Sequence, residues 1–306
     1  MQNEKRYLER DTEKVYEEKH LCKFDEGMII MDNMAVFLFE FFEKKFEKIA
    51  LSVNAERKIY PTLLPVNKYQ KTGYLKMSPQ YAMFCSDVEN DIEVLNRIGE
   101  GVSETDFKSY IKHPEYALSP AACLHTYIEY ENTIFQEPKV FTFTQNVFRN
   151  EGKNNFDEIG RLRDYHVKEI VFIGSHQFVL NRRKEILDKT IDFLDELGME
   201  YISTVASDHF ILPQLQKYKK IQMADKSKIE IQVNTRSQNR ISCASFNMHG
   251  TAFTYPFAIS VKNVRITETG CVGFGIERWV IAFFQQFGDC PEQWPKCVFE
   301  EWLQIL

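Results

Sequence analysis

The stretch from Val140 to Gly174 constrains this chain most, because it reads as two strands joined by a polar loop. Val140 to Glu151 carries Phe141, Phe143, Val147 and Phe148, residues that suit a pleated, half-buried surface. A loop of turn residues opens at Gly152-Lys153-Asn154-Asn155 and runs to Gly160. β-Branched character then returns from Arg161 to Ile173, and Gly174 stops it. The pattern predicts a long antiparallel hairpin, around which the chain must build a sheet. Side chains alternate along a strand, so Arg149 and Glu151 share a face, as do Arg161, Arg163, Tyr165 and Glu169 on the return. Guanidinium groups grip phosphate oxygens, an aromatic ring stacks on a base, and a carboxylate accepts from an exocyclic amine. These residues can make a nucleotide site without a glycine-rich phosphate loop. Taken alone, an Arg-x-Glu pair is also an ordinary solvated sheet face.

A chain of 306 residues with 44% hydrophobic content can bury a sizeable core, as one large domain or one domain with an insert. Its net charge of −6 argues against broad nucleic-acid binding, although a local basic patch is compatible with it. Met1 to His20 is densely charged, and the longest apolar run, Ala35 to Phe42, is short and broken by Glu40. No signal peptide or membrane span is expected. The seven cysteines form no CxxC pair, and an odd count suits a reducing compartment, so the expected location is cytosolic.

Asp32 is placed to cap a helix from Asn33 to about Leu51, whose Phe37, Leu38, Phe41, Phe42 and Phe46 recur at helical spacing. Ile59 to Pro65 is expected as a strand bounded by prolines, Ser86 to Ile98 as a helix, and Asn181 to Leu197 as an amphipathic helix ended by Gly198. A further helix over Leu215 to Ala224 follows. Two basic clusters, Arg182-Arg183-Lys184 and Lys217 to Lys220, lie in this helical stretch and read either as solvated faces or as a docking surface. From Lys228 the strand pattern resumes, through Ile229 to Ile231, Arg240 to Phe246, Ala258 to Val261 and Val264 to Thr267. The expected class is α+β, a mostly antiparallel sheet with a helical insert between the hairpin and its C-terminal partner strands.

A second segment, Thr269 to Phe284, enters Gly270, Gly273 and Gly275 as a strand and leaves as an apolar helix with Arg278 in its first turn. Glycines permit close backbone approach to a ligand, and a helix start with an arginine suits a terminal phosphate. The spacing is not the dinucleotide fingerprint, and a tight strand-to-helix packing turn reads the same way.

Arg149-x-Glu151, followed far downstream by Gly273-Phe274-Gly275-Ile276-Glu277-Arg278, resembles the second and third signature motifs of class II aminoacyl-tRNA synthetases. Pro65, ending a helix-then-strand unit, resembles the first, the dimer motif. The chain more specifically resembles the amino acid:[carrier protein] ligases, relatives of the atypical archaeal seryl-tRNA synthetases. The matching features are Tyr60-Pro61 to Tyr74-Leu75, Pro120-Ala121-Ala122-Cys123, Phe148 to Glu151 and Lys168-Glu169 to Ile173-Gly174. Ser207 to Phe210, Ser245 to His249 and Cys271 to Arg278 complete the pattern.

The resemblance implies a class II synthetase-like catalytic domain over 55–306, with the helical insert at about 176–227, behind an N-terminal helical segment over 1–54. It implies that Arg149 binds the ATP α-phosphate and the reacting carboxylate, that Glu151 accepts from adenine, and that Arg278 clamps the distal phosphates. Arg161 and Tyr165 keep the family's spacing between a loop arginine and the aromatic that stacks on adenine. Glu230, Ser245 and Asn247 match positions lining the ATP and Mg²⁺ region. Cys123, Glu169 and Cys271 match the family's Zn²⁺ ligands, although their spacing alone is no zinc signature. Two thiolates and a carboxylate leave a fourth position open for a substrate amine.

The function so implied is ATP-dependent adenylation of a small amino acid, with transfer to the phosphopantetheine thiol of a carrier protein by a homodimer, and no tRNA partner is expected. The alternatives are a seryl-type tRNA-aminoacylating enzyme and a catalytically silent paralogue that binds or regulates. Two departures bear on specificity: Ser207-Asp208-His209-Phe210-Ile211 replaces Asn-Asp-Pro-Phe-Phe, and His166, Lys168 and Phe172 stand where arginines are usual.

Overall fold

A computed structural model describes residues 20–103, 106–150, 160–236 and 239–305. The expected hairpin is present as β2 and β3 of the main sheet, whose strands in chain order are β1 (Glu56–Arg57), β2 (Lys139–Phe148), β3 (Asp164–Gly174), β4 (Tyr201–Val205), β5 (Lys228–Asn234), β6 (Arg240–Gly250) and β7 (Glu268–Gly275). Their spatial order is β4-β5-β6-β7-β3-β2-β1, antiparallel throughout except for the parallel edge pair β1 and β2. β2 and β3 pair from Lys139↔Ile173 to Phe148↔Asp164, so both strands end just short of the polar loop. Glu151 and the loop to Phe156 lie outside the described residues.

One face of the sheet is covered by helices. α1 (Asn33–Ser52) begins where expected, with the Asp32 carboxylate accepting from Met34 N and Ala35 N. After the short α2 (Leu124–Glu129) come α3 (His176–Leu197), α4 (Gln216–Asp225) and α5 (Ile276–Phe287). α1, α3 and α5 pack together on the sheet. Their shared core is aromatic: Phe46 stacks on Phe274 at 4.2 Å, Phe46 lies 5.0 Å from Trp279, and Phe42 and Phe193 close around them. Phe46 is fully buried, so Phe46→Ala is expected to cost about 3–5 kcal/mol of unfolding free energy in urea titrations. A cost under about 1 kcal/mol would contradict this packing.

Five expectations need correction. The strand expected over Ile59 to Pro65 is split. Leu63–Pro65 joins a small separate sheet with Met83–Cys85 and Tyr116–Leu118, while Ile59 to Pro61 makes no ladder. Pro61 lacks the donor a continuous strand would need there. Val264 to Thr267 is turn and coil before β7, and the helix expected over Ser86 to Ile98 spans Ile92–Glu100, where the Asp91 side chain caps it. The stretch 176–227 is not a purely helical insert, because it contributes edge strand β4, and the buried stripe of α3 belongs to the common core. The described part of residues 1–54 likewise holds a hairpin, Leu21–Asp25 with Met28–Met31, and its α1 packs in that same core.

Of the first basic cluster only Arg183 is turned inward. Arg183 is buried and donates to Lys226 O at 2.7 Å, Lys184 pairs with Asp188, and Arg182 pairs with Glu185 and lies over Phe178. Arg183 therefore anchors α3 and presents no docking charge. Lys217, Lys219 and Lys220 on α4 remain exposed.

Candidate active site

The uncovered face of the sheet floors a cavity of about 1070 Å³. Register explains what reaches it. Glu230, Ser245, Gly273 and Glu169 stand opposite one another across β5, β6, β7 and β3, and the adjacent row brings Lys228, Asn247 and Cys271 together. Alternation puts both rows on the cavity face and sends Lys168 and Phe274 to the helix side, where Lys168 pairs with Glu47. Apart from Arg163, every described candidate residue named from the sequence lines this cavity: Arg149, Arg161, Tyr165, Glu230, Ser245, Asn247 and Arg278, with Cys123, Glu169 and Cys271. Arg163 is absent from the lining, and its Nε and Nη1 donate to Glu26 O and Asn150 Oδ1, both at 3.4 Å.

Two guanidinium groups meet over one ring. Arg149 lies just past the end of β2, and its Cζ sits 5.9 Å from the Tyr165 ring centre and 5.2 Å from that of Tyr81. Arg278, in the first turn of α5, lies 4.8 Å from the same Tyr165 ring. Tyr165 is only 3% exposed, so it acts as a platform between the two cations. Arg278 Nη1 donates to Ser242 O at 3.1 Å, while its Nε is buried without a hydrogen-bond partner among the described residues. Arg149 Nε donates to Pro120 O at 3.0 Å, which ties it to the loop that carries Cys123.

Glu277 fixes the turn that presents Arg278. Its buried carboxylate accepts from His166 N at 2.8 and 3.0 Å and lies 2.6 Å from His166 Nδ1. Burial opposes protonation of His166, but the hydrogen bond and charge of Glu277 outweigh it and raise its pKa above the ordinary 6.5. A raised folded-state value means that the stabilisation is fully present below about pH 6.5 and is lost as pH rises through the folded value. The stability gap between wild type and His166→Gln, measured by urea unfolding, is therefore expected to be larger at pH 5.5 than at pH 8.5. A gap that grows with pH would contradict the pairing.

Also lining the cavity, Cys123, Cys271 and Glu169 are nearly fully buried, and donor atoms of Cys123, Cys271 and His249 all lie within 4.8 Å of one another. Burial and the neighbouring Cys271 push the Glu169 carboxyl well above its usual range, and the contact with Cys123, with burial, pushes the Cys271 thiol up. Acids crowded in this way are stabilised in their ionised forms by a cation, so the donor set fits a metal such as Zn²⁺. A Cβ on Gly273 would lie 2.8 Å from Glu169 Oε2, so this glycine makes room for the carboxylate rather than for a ligand, as its spacing had suggested. Asn247, matched to the ATP region, donates weakly to Cys271 Sγ at 3.6 Å and to Ser245 Oγ at 3.2 Å, so it joins the thiol cluster to the Glu230–Ser245 row.

Sequence reasoning gave no role to His249, Lys228 or Asp208. Lys228 Nζ lies 2.9 Å from Asp208 and 3.2 Å from Glu230. Burial works to raise both acids, yet Lys228 wins and holds Asp208 down to about 2 and Glu230 below its usual value. Gln222 of α4 donates to Asp208 Oδ2 at 2.8 Å and accepts from Asp208 N at 2.7 Å, and Gln80 reaches His209 O at 2.9 Å. Ser207 to Phe210 of the departing segment is thus pinned as a wall of the cavity. The only sequence sign of this was the Lys-x-Glu alternation of β5.

A six-stranded antiparallel run with one parallel edge, a cavity on its open face and an arginine at each of two distant motif positions define a class II synthetase core. The family model for the tRNA synthetase class II core domain (G, H, P, S and T) matches residues 107–287, more than half of the chain, and the chain belongs to that family. The type-2 serine–tRNA ligase of Methanococcus maripaludis is 26% identical over 276 residues, covering 85% of this chain and 54% of that protein. The corresponding ligase of Methanopyrus kandleri is 26% identical over 275 residues, covering 83% and 52%. The chain thus spans about half the length of these curated relatives. Among solved structures, M. kandleri SerRS in complex with A. aeolicus tRNASec aligns with a TM-score of 0.85 at 24% identity, covering 97% of this chain and 60% of that one. Giardia lamblia prolyl-tRNA synthetase in complex with prolyl-adenylate aligns at 0.68 with 13% identity, covering 91% and 53%. These likenesses overturn the expectation that tRNA plays no part, since the relatives are tRNA ligases and one was captured with a tRNA. Negative net charge was one misleading signal, because it averages over the chain and says little about one surface. No helix among the described residues is long and apolar enough to cross a membrane.

Proposed function

We propose that the chain is an amino-acid-activating ligase that joins a small amino acid to AMP at the expense of ATP. The observation that supports this most is the meeting of Arg149 and Arg278, from distant segments, over the Tyr165 platform. An amino-acid carboxylate oxygen attacks the α-phosphorus, the new O–P bond forms as the bond to the bridging β-oxygen breaks, and pyrophosphate leaves with that electron pair. The protein's part is positioning and neutralisation of spreading charge. Arg149 suits the α-phosphate and the attacking carboxylate, and Arg278, with its unpartnered Nε, suits the distal phosphates. Arg161, Tyr165 and Glu151 are assigned to the nucleotide's adenine side; for adenine to stack on Tyr165, Arg278 must lie beyond the base rather than directly on the ring.

Glu230, held ionised by Lys228, and Ser245 would hold Mg²⁺, which supplies charge neutralisation on the phosphates. Cys123, Glu169 and Cys271 would hold Zn²⁺, which supplies a Lewis-acid grip on a neutral amine. All seven cysteines are unpaired, which agrees with a cytosolic setting. We place the catalytic unit at 55–306, with α1, which precedes it, packed against its core.

For the second half-reaction the names of the relatives favour a tRNA acceptor. The second reading, transfer to the phosphopantetheine thiol of a carrier protein, draws on α4, whose Tyr218 and Gln222 border the cavity while Lys217, Lys219 and Lys220 face outward. Radiolabelled amino acid with ATP is offered in parallel to total tRNA and to a holo-carrier. Label in tRNA supports the first reading, thioester on the carrier alone supports the second, and label in neither acceptor despite adenylate formation would contradict both.

A further inference from the structure

We infer that the N-terminal hairpin, Leu21–Asp25 with Met28–Met31, braces the adenylation site, and that Arg163 is the positioning residue through which its tip fixes Arg149. This rests on the adenylation reading above. Alternation puts Arg163 on the face of Arg161 and Tyr165, yet it is absent from the cavity lining. Its contacts give it another task. Arg163 N donates to Gly27 O at the hairpin tip at 2.7 Å, and Arg163 O accepts from Arg149 N at 2.8 Å. Arg163 Nε and Nη1 donate, at 3.4 Å each, to Glu26 O on the tip and to Asn150 Oδ1 beside Arg149. Backbone and side chain of one residue thus tie the tip to the strand end that carries Arg149.

Arg149 needs such a tie because the regular pairing of β2 with β3 ends one residue earlier, at Phe148↔Asp164. Phe148 N donates to Ser119 O at 2.9 Å and Asn150 N to Tyr81 O at 3.4 Å, so the cavity wall grips this segment on one edge and Arg163 grips it on the other. The tip carbonyl depends on glycine: Gly27 turns the chain at φ +71°, a conformation that a β-branched residue adopts only under strain. The base of the hairpin is fixed as well. Leu21 is fully buried, Asp32 N donates to His20 O at 3.0 Å, His20 Nδ1 lies 2.8 Å from Asp32 Oδ2, and the His20 ring stacks on Phe284 of α5 at 5.5 Å. The hairpin and the residue before it therefore contact both the helix that bears Arg278 and the residue that holds Arg149. A small displacement of Arg149 harms the transition state more than the ground state, because the charge it neutralises develops only there.

The test uses the full chain and two variants: Gly27→Val displaces the accepting carbonyl, and Arg163→Met removes the guanidinium while keeping its stem. Each is expected to lower kcat for amino-acid-dependent pyrophosphate exchange by about tenfold, with the KM values for ATP and amino acid changed by less than about threefold. The double variant is expected to fall little further, because both changes cut one link. Phe24→Ala, on the same hairpin but 69% exposed and short of the tip, is expected to keep the wild-type kcat. Hydrogen exchange at the Arg149 amide is expected to quicken by about tenfold in Gly27→Val. Wild-type kcat in folded Gly27→Val and Arg163→Met, or an equal loss in Phe24→Ala, would overturn the brace. A wild type that exchanges no pyrophosphate would overturn the adenylation reading instead, and the amide then decides the brace, which unchanged protection at Arg149 would overturn. If Gly27→Val does not fold, the same two measurements on Arg163→Met decide.

Discussion

Replacing Arg278 with alanine is expected to slow adenylate formation by about 10²- to 10³-fold, and Arg149→Ala by a similar factor. Each change removes a charge-assisted contact aimed at charge that develops only in the transition state. Arg278 is anchored on the cavity floor by its hydrogen bond to Ser242 O, and it leaves the Tyr165 ring when a base stacks there. Because Glu277, not Arg278, anchors the turn to β3, the alanine variant should stay folded and unfold near the wild-type midpoint. Single-turnover formation of aminoacyl-adenylate, followed by release of labelled pyrophosphate, gives the rate directly. A folded Arg278→Ala protein with the wild-type rate would show that the guanidinium does not face the phosphates.

The second large effect concerns the buried thiols. Cys271→Ser is expected to lower bound zinc from about one per chain to a small fraction of that, because a thiolate is the stronger of the two zinc ligands and a serine hydroxyl ionises far less readily. Cys271 is central to the cluster, with Cys123, Glu169, Asn247 and His249 all packed on its sulfur. The same substitution should raise the KM for the amino acid by at least about tenfold while changing the KM for ATP less, since the proposed metal grips the amine and not the nucleotide. Elemental analysis of protein purified without chelators checks the first expectation, and steady-state titrations the second. Full zinc content in Cys271→Ser would remove this cysteine from the ligand set.

Much of this was legible in the residues. The hairpin showed itself through alternation at Phe141, Phe143 and Val147, α1 through its Phe spacing and Asp32 cap, and α3 through Leu187, Leu194 and Gly198. Local pattern was sufficient there because each element meets the core along one face. Pattern failed where tertiary context decides. β4 looked like part of a helical insert, yet it completes the sheet edge by pairing with β5. Arg183 looked like surface charge, yet it is spent inside on Lys226 O. The three glycines of the second segment looked like ligand clearance, yet Gly273 makes room for Glu169 and Gly270 for Phe172. His249 escaped notice because a one-residue register slip, invisible in composition, is what brings its ring to Cys271. Site chemistry carried by side-chain type was readable, whereas site geometry carried by register was not.

The central claim, that this cavity activates an amino acid with ATP, is tested most directly by amino-acid-dependent exchange of labelled pyrophosphate into ATP. The assay runs on the purified full chain across the twenty amino acids, with Mg²⁺ present. One or a few small amino acids are expected to drive exchange well above the amino-acid-free background, and Arg278→Ala is expected to bring it down by about 10²- to 10³-fold. A folded, zinc-loaded protein that exchanges pyrophosphate with none of the twenty would contradict the account.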